Sequence, residues 1–242
     1  MKTFLISLIS VLLGFTLVAQ ERHPVDQLAY SKLQKAFSNA DMINGENTAS
    51  EHWDHLLTIV YLEAKKQMQP ATFDILRESQ RAWLSYRDTE FQMINRLYYA
   101  ELQGTMWHAP AAAARKRVVR QRVLSLMDQL SLLTMQLEED PLDIAGKWVG
   151  TGADNKSSIL EIREDFTLVW SDQSTDKYEV EFYRLSNQCS DAVVQEDEKV
   201  ISLIMPGKPS DKRCYFLEFT DTLLNLKSMD SKTATLRFKR IN

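Results

Sequence analysis

The sequence predicts an α+β protein of two domains, an N-terminal helical bundle followed by an antiparallel β barrel or sandwich. A few prolines and glycines divide the first half of the chain into long stretches of helix-forming residues. Apolar residues in those stretches recur at spacings of three and four, as on the buried face of a helix. After Pro141, short apolar runs alternate with turn residues, which is typical of antiparallel strands.

The helical stretches lie in a predicted domain of residues 20–140. Proline suits the first turn of a helix and glycine suits its end, so both mark helix boundaries. The marks are Pro24, Gly45, Pro70, Gly104 and Pro110. They predict helices at about residues 24–41, 50–68, 71–103 and 110–138.

A β domain is predicted over residues 141–242, joined to the bundle near residues 139–145. Its apolar runs are Trp148, 159–162, 167–170, 178–182, 200–204, 215–219, 223–226 and 235–238. Short strands at fairly even spacing are typical of small barrels and sandwiches.

The first 19 residues have the three parts of a secretory signal peptide. Lys2 is followed by an uncharged run from Phe4 to Val18 and then by Ala19. We expect cleavage after Ala19; a retained N-terminal anchor is the alternative. No later run is long enough for a membrane span, so the sequence predicts a periplasmic or secreted mature chain without one.

Composition argues against several classes of protein. Lys and Arg total 29 against 33 Asp and Glu, a net charge of −4, whereas nucleic-acid binding usually needs a basic face. With seven glycines and two cysteines, no phosphate loop, cysteine-rich zinc site or cofactor is predicted. His52 and His55 could share a helical face, but zinc needs three or four ligands. We therefore expect solvated histidines and no metal site.

A basic run occupies the predicted fourth helix. Its members are Arg115, Lys116, Arg117, Arg120 and Arg122. A solvated helix face is the ordinary explanation, and a surface for an acidic polymer or a membrane headgroup is the alternative.

The only two cysteines, Cys189 and Cys214, both lie in the β half. A secreted chain with one cysteine pair most simply forms one disulfide. A free thiol pair or a metal site is the alternative.

The densest polar and aromatic cluster spans residues 76–90 of the predicted third helix. Gln80, Trp83 and Arg87 fall on one helical face, so we expect a largely buried tryptophan with hydrogen-bonded polar neighbours. A structural polar network and a recognition site for a partner are both compatible with this pattern. No pair of a nucleophile and a base is evident, so no catalytic residue and no enzymatic activity are predicted.

This segment resembles the signature of the LprI-type lysozyme-inhibitor family, loosely over residues 28–130. The matching positions include Leu76, Gln80, Arg81, Ala82, Trp83, Leu84, Tyr86, Arg87, Asp88 and Glu90. The resemblance implies a secreted helical domain, with Gln80, Arg81, Trp83, Tyr86, Arg87 and Asp88 as structural or partner-binding residues. The family usually has a cysteine just after the acidic residue of the motif, where this chain has Phe91.

The β domain is more weakly similar to lipocalin-like barrels. Gly146-Lys147-Trp148 resembles their Gly-x-Trp opening, in which an arginine near the last strand packs on the tryptophan. Arg237 and Arg240 are the candidates for that arginine. The resemblance implies a small apolar ligand; a structural β domain without a pocket is the alternative.

The resemblance to lysozyme inhibitors implies a non-enzymatic protein that binds a lysozyme-type cell-wall hydrolase. An acidic chain is electrostatically complementary to a basic lysozyme. The alternative function is a small-ligand-binding or envelope-maintenance protein that acts through its β domain.

Overall fold

The computed structural model confirms the α+β class: four helices precede a closed, eight-stranded antiparallel barrel. It describes residues 22–134, 144–151, 158–172, 174–175, 178–186, 188–189, 192–193, 199–204, 212–229 and 235–241. The predicted signal peptide and most of the predicted joint near residues 139–145 lie outside these residues. No helix within them is long and apolar enough to cross a membrane.

The helical region has four α-helices, of which the last three are long. They are α1 (Pro24–Gln34), α2 (Asn39–Gln67), α3 (Pro70–Asn95) and α4 (His108–Thr134). Between α3 and α4 lie a π-helical turn (Arg96–Glu101) and a 3-10 turn (Thr105–Trp107). Pro24 and Pro70 begin their helices as predicted, and Gly104 lies in the connection with a φ of 99°, which favours glycine.

The predicted break near Gly45 is wrong, because the chain turns earlier. Ser38 caps α2: its Oγ accepts from the Asp41 backbone N–H at 3.1 Å, and Asp41 Oδ2 accepts from the Ser38 backbone N–H at 3.0 Å. This capping box satisfies amide donors that the first turn leaves free. Gly45 is buried inside α2, and a Cβ added there would make ordinary contact with Lys32 and Leu33 of α1. The glycine therefore marks a contact between helices and not a helix end.

Eight of the ten strands in the described residues close the barrel. The ten are β1 (Gly146–Gly150), β2 (Ser158–Ile162), β3 (Thr167–Asp172), β4 (Tyr178–Ser186), β5 (Gln188–Cys189), β6 (Ala192–Val193), β7 (Val200–Ile204), β8 (Lys212–Phe219), β9 (Leu223–Ser228) and β10 (Leu236–Ile241). The barrel strands pair in chain order and β10 returns to β1, while β5 and β6 form a separate hairpin between β4 and β7. Every predicted apolar run coincides with a barrel strand, although the run at 235–238 begins one residue before β10. The hairpin was not predicted.

The barrel interior is packed with apolar side chains. The largest fully buried ones are Trp148, Phe238, Leu160, Ile162, Leu168 and Ile201. Glu181 of β4 also lies inside, because it pairs across the sheet with the buried Leu168. Its carboxylate accepts from Trp170 Nε1 at 3.1 Å and forms an ion pair with Arg213, which compensates the burial of its charge.

The predicted disulfide is confirmed. Cys189 of the hairpin is bonded to Cys214 of β8, with Cα atoms 6.1 Å apart. The bridge therefore ties the inserted hairpin to the barrel wall.

The helical region and the barrel share a core through β4. Val180 and Phe182 lie on the outer face of the barrel, where they pack in the cluster that contains Trp53 and Leu56 of α2. Phe182 is fully buried there, with the His55 ring stacked on it at 5.7 Å and the His52 ring edge-on at 6.1 Å. The expectation of solvated histidines is therefore wrong.

A polar contact joins the same two regions. His23 Nε2, at the start of α1, lies 3.4 Å from Asp165 Oδ2 in the turn between β2 and β3. Burial opposes ionisation of Asp165, but the contact with His23 and the hydrogen bonds from Thr167 and Arg163 outweigh it and lower the pKa of Asp165 to about 2. The carboxylate thus stays charged down to strongly acidic pH.

The histidines on Phe182 make stability depend on pH. Burial lowers the pKa of His52 from its ordinary value of 6.5 to about 4, and it also lowers the pKa of His55. The facing charges are Lys32, which disfavours protonation of His52, and Asp54, which favours that of His55. Folding therefore favours the neutral form of both rings. The contribution of these rings to the free energy of unfolding is present above pH 6.5 and is lost as the pH falls to about 4.

We therefore expect the urea midpoint of the full chain to fall as the pH is lowered from 6.5 to 4. His52→Gln should flatten this decline, because glutamine does not titrate and can still donate to the Thr48 carbonyl, which His52 Nδ1 contacts at 2.7 Å. An unchanged decline in the variant would assign the pH dependence to other groups.

Candidate functional site

The motif helix α3 lies at the margin of the helical bundle. Only Phe73, Leu76 and Ile94 of its 26 residues are buried. Trp83 and Phe91 are half-buried and pack against the core, while other apolar side chains of α3, such as Tyr86 and Met93, line a groove shared with α4. The motif is thus displayed at the surface of the helical region.

Trp83 is half-buried between this groove and the main helical core, against which it packs. The guanidinium groups of Arg87 and Arg122 lie 5.7 and 5.9 Å from its ring centroid, within the range of cation–π contacts. Trp83 is therefore held by two arginines from two helices and keeps part of its surface accessible.

Gln80 links α3 to α4. Its Oε1 accepts from Arg122 Nε at 3.0 Å, and Arg122 Nη2 donates to Ser79 Oγ at 3.2 Å. Burial lowers the pKa of Arg122, but an arginine remains charged in proteins at neutral pH. This bridge fixes the cation beside the Trp83 ring.

Arg87 bonds within its own helix. Its Nε and Nη2 donate to Asp88 Oδ1 at 3.0 and 2.8 Å, and its Nη1 lies 3.9 Å from Asp54 Oδ1 of α2. The motif therefore splits into a half-buried set, which includes Gln80, Trp83 and Arg87, and an exposed set of Arg81, Tyr86 and Asp88.

The groove between α3 and α4 has a volume of about 640 Å³. Its α3 wall includes Trp83, Tyr86, Glu90, Met93, Leu97 and Tyr98. Its α4 wall includes Ala114, Arg117, Val118, Gln121, Arg122 and Ser125. Tyr86, Met93 and Leu97 are 54%, 50% and 40% exposed, so large apolar surface is open to a binding partner.

A π-helical turn forms one end of the groove. Leu97 and Tyr98 belong to this turn, which continues α3 directly. Arg115 of α4 holds it by donating to Asn95 Oδ1 at 2.8 Å. Such turns are rare and occur frequently at functional sites.

The basic run of α4 is not one patch. Helical spacing places its members on different sides of α4. Lys116 Nζ pairs with Glu46 at 2.7 Å, and Arg120 Nε pairs with Asp26 at 2.7 Å. Arg122 faces α3. Arg117 is exposed in the groove and has no partner among the described residues. The expected uniformly solvated face is therefore wrong. Arg117 and Arg122 are groove residues, and no pattern in the basic run distinguishes them from their neighbours.

Residues 31–126 match the family model described as Lysozyme inhibitor LprI. The match runs from the end of α1 into α4 and includes both walls of the groove as far as Ser125. It confirms the resemblance predicted from the motif, and it leaves out the barrel. No curated protein and no solved structure matches the chain.

Packing takes the place of the missing family cysteine in the LprI-like region. Phe91, at the position after Glu90, packs against both the main helical core and the smaller cluster of Ile94, Ala111 and Ala114. Its ring also lies 5.8 Å from the Arg87 guanidinium. An aromatic side chain thus joins α3 to α4 at this position.

The β-domain motif lies at the point where the barrel closes. Trp148 is fully buried, and its Nε1 donates to the Ile144 carbonyl at 2.9 Å. The Arg240 guanidinium lies 4.6 Å from its ring centroid, whereas Arg237 is exposed. Gly146 has a φ of 137°, which favours glycine.

Interior side chains fill the barrel as in other small barrels. The small apolar ligand of the β domain remains a prediction. Within the described part of the chain, no group of three or more His, Cys, Asp or Glu side chains is arranged to hold a metal ion.

Proposed function

We propose that this protein is a secreted, non-enzymatic inhibitor of a lysozyme-type cell-wall hydrolase, and that it binds its target through the α3–α4 groove. The observation that carries the proposal is that the match to the LprI inhibitor family spans the helices that form this groove.

The composition of the groove supports a protein partner. Tryptophan, tyrosine, methionine and arginine are enriched at protein interfaces, and tryptophan, tyrosine and arginine dominate their binding energy. Trp83, Tyr86, Met93 and Arg117 supply all four types along one surface. Exposed apolar patches bordered by polar residues commonly mark interaction sites.

The groove offers little for catalysis. No His, Cys or Asp is among its described lining residues, and Glu90 is the carboxylate there. A nucleophile with an adjacent base is the usual requirement for covalent catalysis. These observations favour binding over turnover.

A location outside the cytoplasm agrees with two features. The sequence begins with the pattern of a signal peptide, and the Cys189–Cys214 bridge suits an oxidising compartment. The periplasm is where an inhibitor of cell-wall hydrolases would protect the producing cell.

Lysis of a peptidoglycan suspension by purified lysozymes tests the proposal. The mature full-length chain should slow lysis at a ratio near one to one. Trp83→Ala and Tyr86→Ala should weaken inhibition at least tenfold, as substitutions at binding hot spots do.

Two matched controls lie outside the groove. Trp107→Ala removes a half-buried tryptophan of the 3-10 turn, and Tyr30→Ala removes a tyrosine of α1 that is 37% exposed. Both should inhibit like the wild type. The proposal fails if no lysozyme of several types is inhibited, or if the controls lose as much activity as the groove variants.

A further inference from the structure

We infer that the α3–α4 groove receives an acidic amphipathic helix of the partner. This inference rests on the proposed function for the location of the site and adds the chemistry of the element that occupies it.

Lining residues on both walls of the groove recur at the spacing with which a helix contacts another helix. On α3, lining residues follow one another at steps of three and four, from Trp83 through Tyr86, Glu90 and Met93 to Leu97. On α4, Ala114, Val118, Gln121 and Ser125 repeat the same spacing. Two parallel stripes of this kind form the trough in which a third helix packs.

The dimensions and the lining favour a helix over a glycan. The stripe from Trp83 of α3 to Leu97 of the π-helical turn spans 15 residues, about 21 Å at 1.5 Å per residue, which matches about four turns of a partner helix. Met93, Leu97 and Val118 make much of the accessible surface apolar, and the buried Ile94 and Ala114 form the floor beneath them. Sugar sites depend on polar groups more than this surface does.

The charge of the groove selects an acidic helix. Its described lining contains Arg117 and Arg122 against one carboxylate, Glu90, although the whole chain has a net charge of −4. Arg122 is already bonded to Gln80, whereas Arg117 is exposed and has no partner among the described residues. A carboxylate on the incoming helix can pair with Arg117 through a bidentate contact. The net charge predicts that an acidic inhibitor binds a basic enzyme. The groove itself is basic, so the charges at this site are the reverse.

A pair of synthetic helical peptides tests this inference on the mature full-length protein. Both have 18 residues, leucine on one face and a fluorescent label; one carries glutamate beside the leucine face and its twin carries lysine. By fluorescence anisotropy, the wild type should bind the glutamate peptide at least tenfold more tightly than the lysine peptide. Arg117→Glu should reverse this preference, and Trp83→Ala should weaken binding of the glutamate peptide.

Arg81→Glu is the matched control. Arg81 is exposed on α3 and does not line the groove, so the same charge change there should leave the preference as in the wild type. The inference is overturned if the wild type binds the two peptides equally, or if Arg81→Glu changes the preference as much as Arg117→Glu does. It is also overturned if the protein binds a muramyl glycan fragment in place of either peptide.

The lysis assay separates this result from the proposed function. If inhibition depends on Trp83 but neither peptide binds, hydrolase binding stands and the acidic helix is rejected. If the glutamate peptide binds and Arg117→Glu reverses the preference while no lysozyme is inhibited, the helix-binding groove stands and its target is another protein.

Discussion

Phe182→Ala is expected to lower the free energy of unfolding by about 3–5 kcal/mol, the usual cost of truncating a fully buried phenylalanine. The side chain belongs to a barrel strand but packs among helix residues, where it supports the rings of His52 and His55. The cavity should therefore destabilise both regions. Urea unfolding followed by far-ultraviolet and near-ultraviolet circular dichroism should give midpoints that fall together.

Phe219→Ala supplies the comparison. Phe219 is half-buried in the barrel cluster, so its removal should cost less and should leave the contact with the helices intact. If Phe182→Ala left the helical midpoint unchanged, the shared core would not contribute to stability.

Trp148→Ala should also cost about 3–5 kcal/mol. The substitution empties the largest fully buried position of the barrel and removes the donor to the Ile144 carbonyl. It also removes the ring against which the Arg240 guanidinium packs. Differential scanning calorimetry of the full chain should show a clear drop in Tm.

Trp107→Ala is the matched substitution for this measurement as well. Trp107 is half-buried at a surface turn, so its loss should lower Tm by a much smaller amount. Equal shifts for the two tryptophans would mean that Trp148 does not hold the barrel closed.

The strands could be predicted from the sequence because their signals are local. Apolar runs and intervening turn residues lie within a few positions of each other, and every such run became a barrel strand. The β5–β6 hairpin has only two residues in each strand, too few for an alternating pattern. The error at Gly45 arose because a glycine in a helix–helix contact has the same sequence signal as a glycine at a helix end.

Which face of β4 points into the barrel could not be predicted. Val180 and Phe182 alternate with Glu179 and Glu181, and the apolar side of such a strand ordinarily faces the barrel interior. Here it faces the helices, and Glu181 points inward to Trp170 and Arg213. The inversion depends on a second layer of structure more than 100 residues earlier in the chain.

The partial exposure of Trp83 beside the groove is a similar case. The apolar stripe of α3 predicts a buried face, but periodicity does not tell whether another helix covers it. Residues of α4, among them Arg122 and Val118, complete one wall and leave the other side open. The groove therefore follows from tertiary packing and not from the motif alone.

The mutual packing of the two regions also limits what can be tested in isolation. A fragment of residues 21–140 would lack Val180 and Phe182 and would expose the surface of α2 that they cover. The sequence alone suggests that the helical half could retain inhibitory activity by itself, but loss of activity in that fragment would not distinguish misfolding from a binding site in the barrel. Point substitutions in the full chain avoid this ambiguity.

The closed barrel has a consequence for how other chains can attach to this protein. A sheet that closes on itself leaves no edge strand, so an extended peptide cannot add to these eight strands by β-augmentation, and misfolded neighbours find no template for fibril growth. Among the described residues, the β5–β6 hairpin is the sheet that keeps open edges, and the Cys189 bridge fastens it to β8. Among the strands that the structure describes, main-chain pairing with a partner is thus left to one short, tethered hairpin.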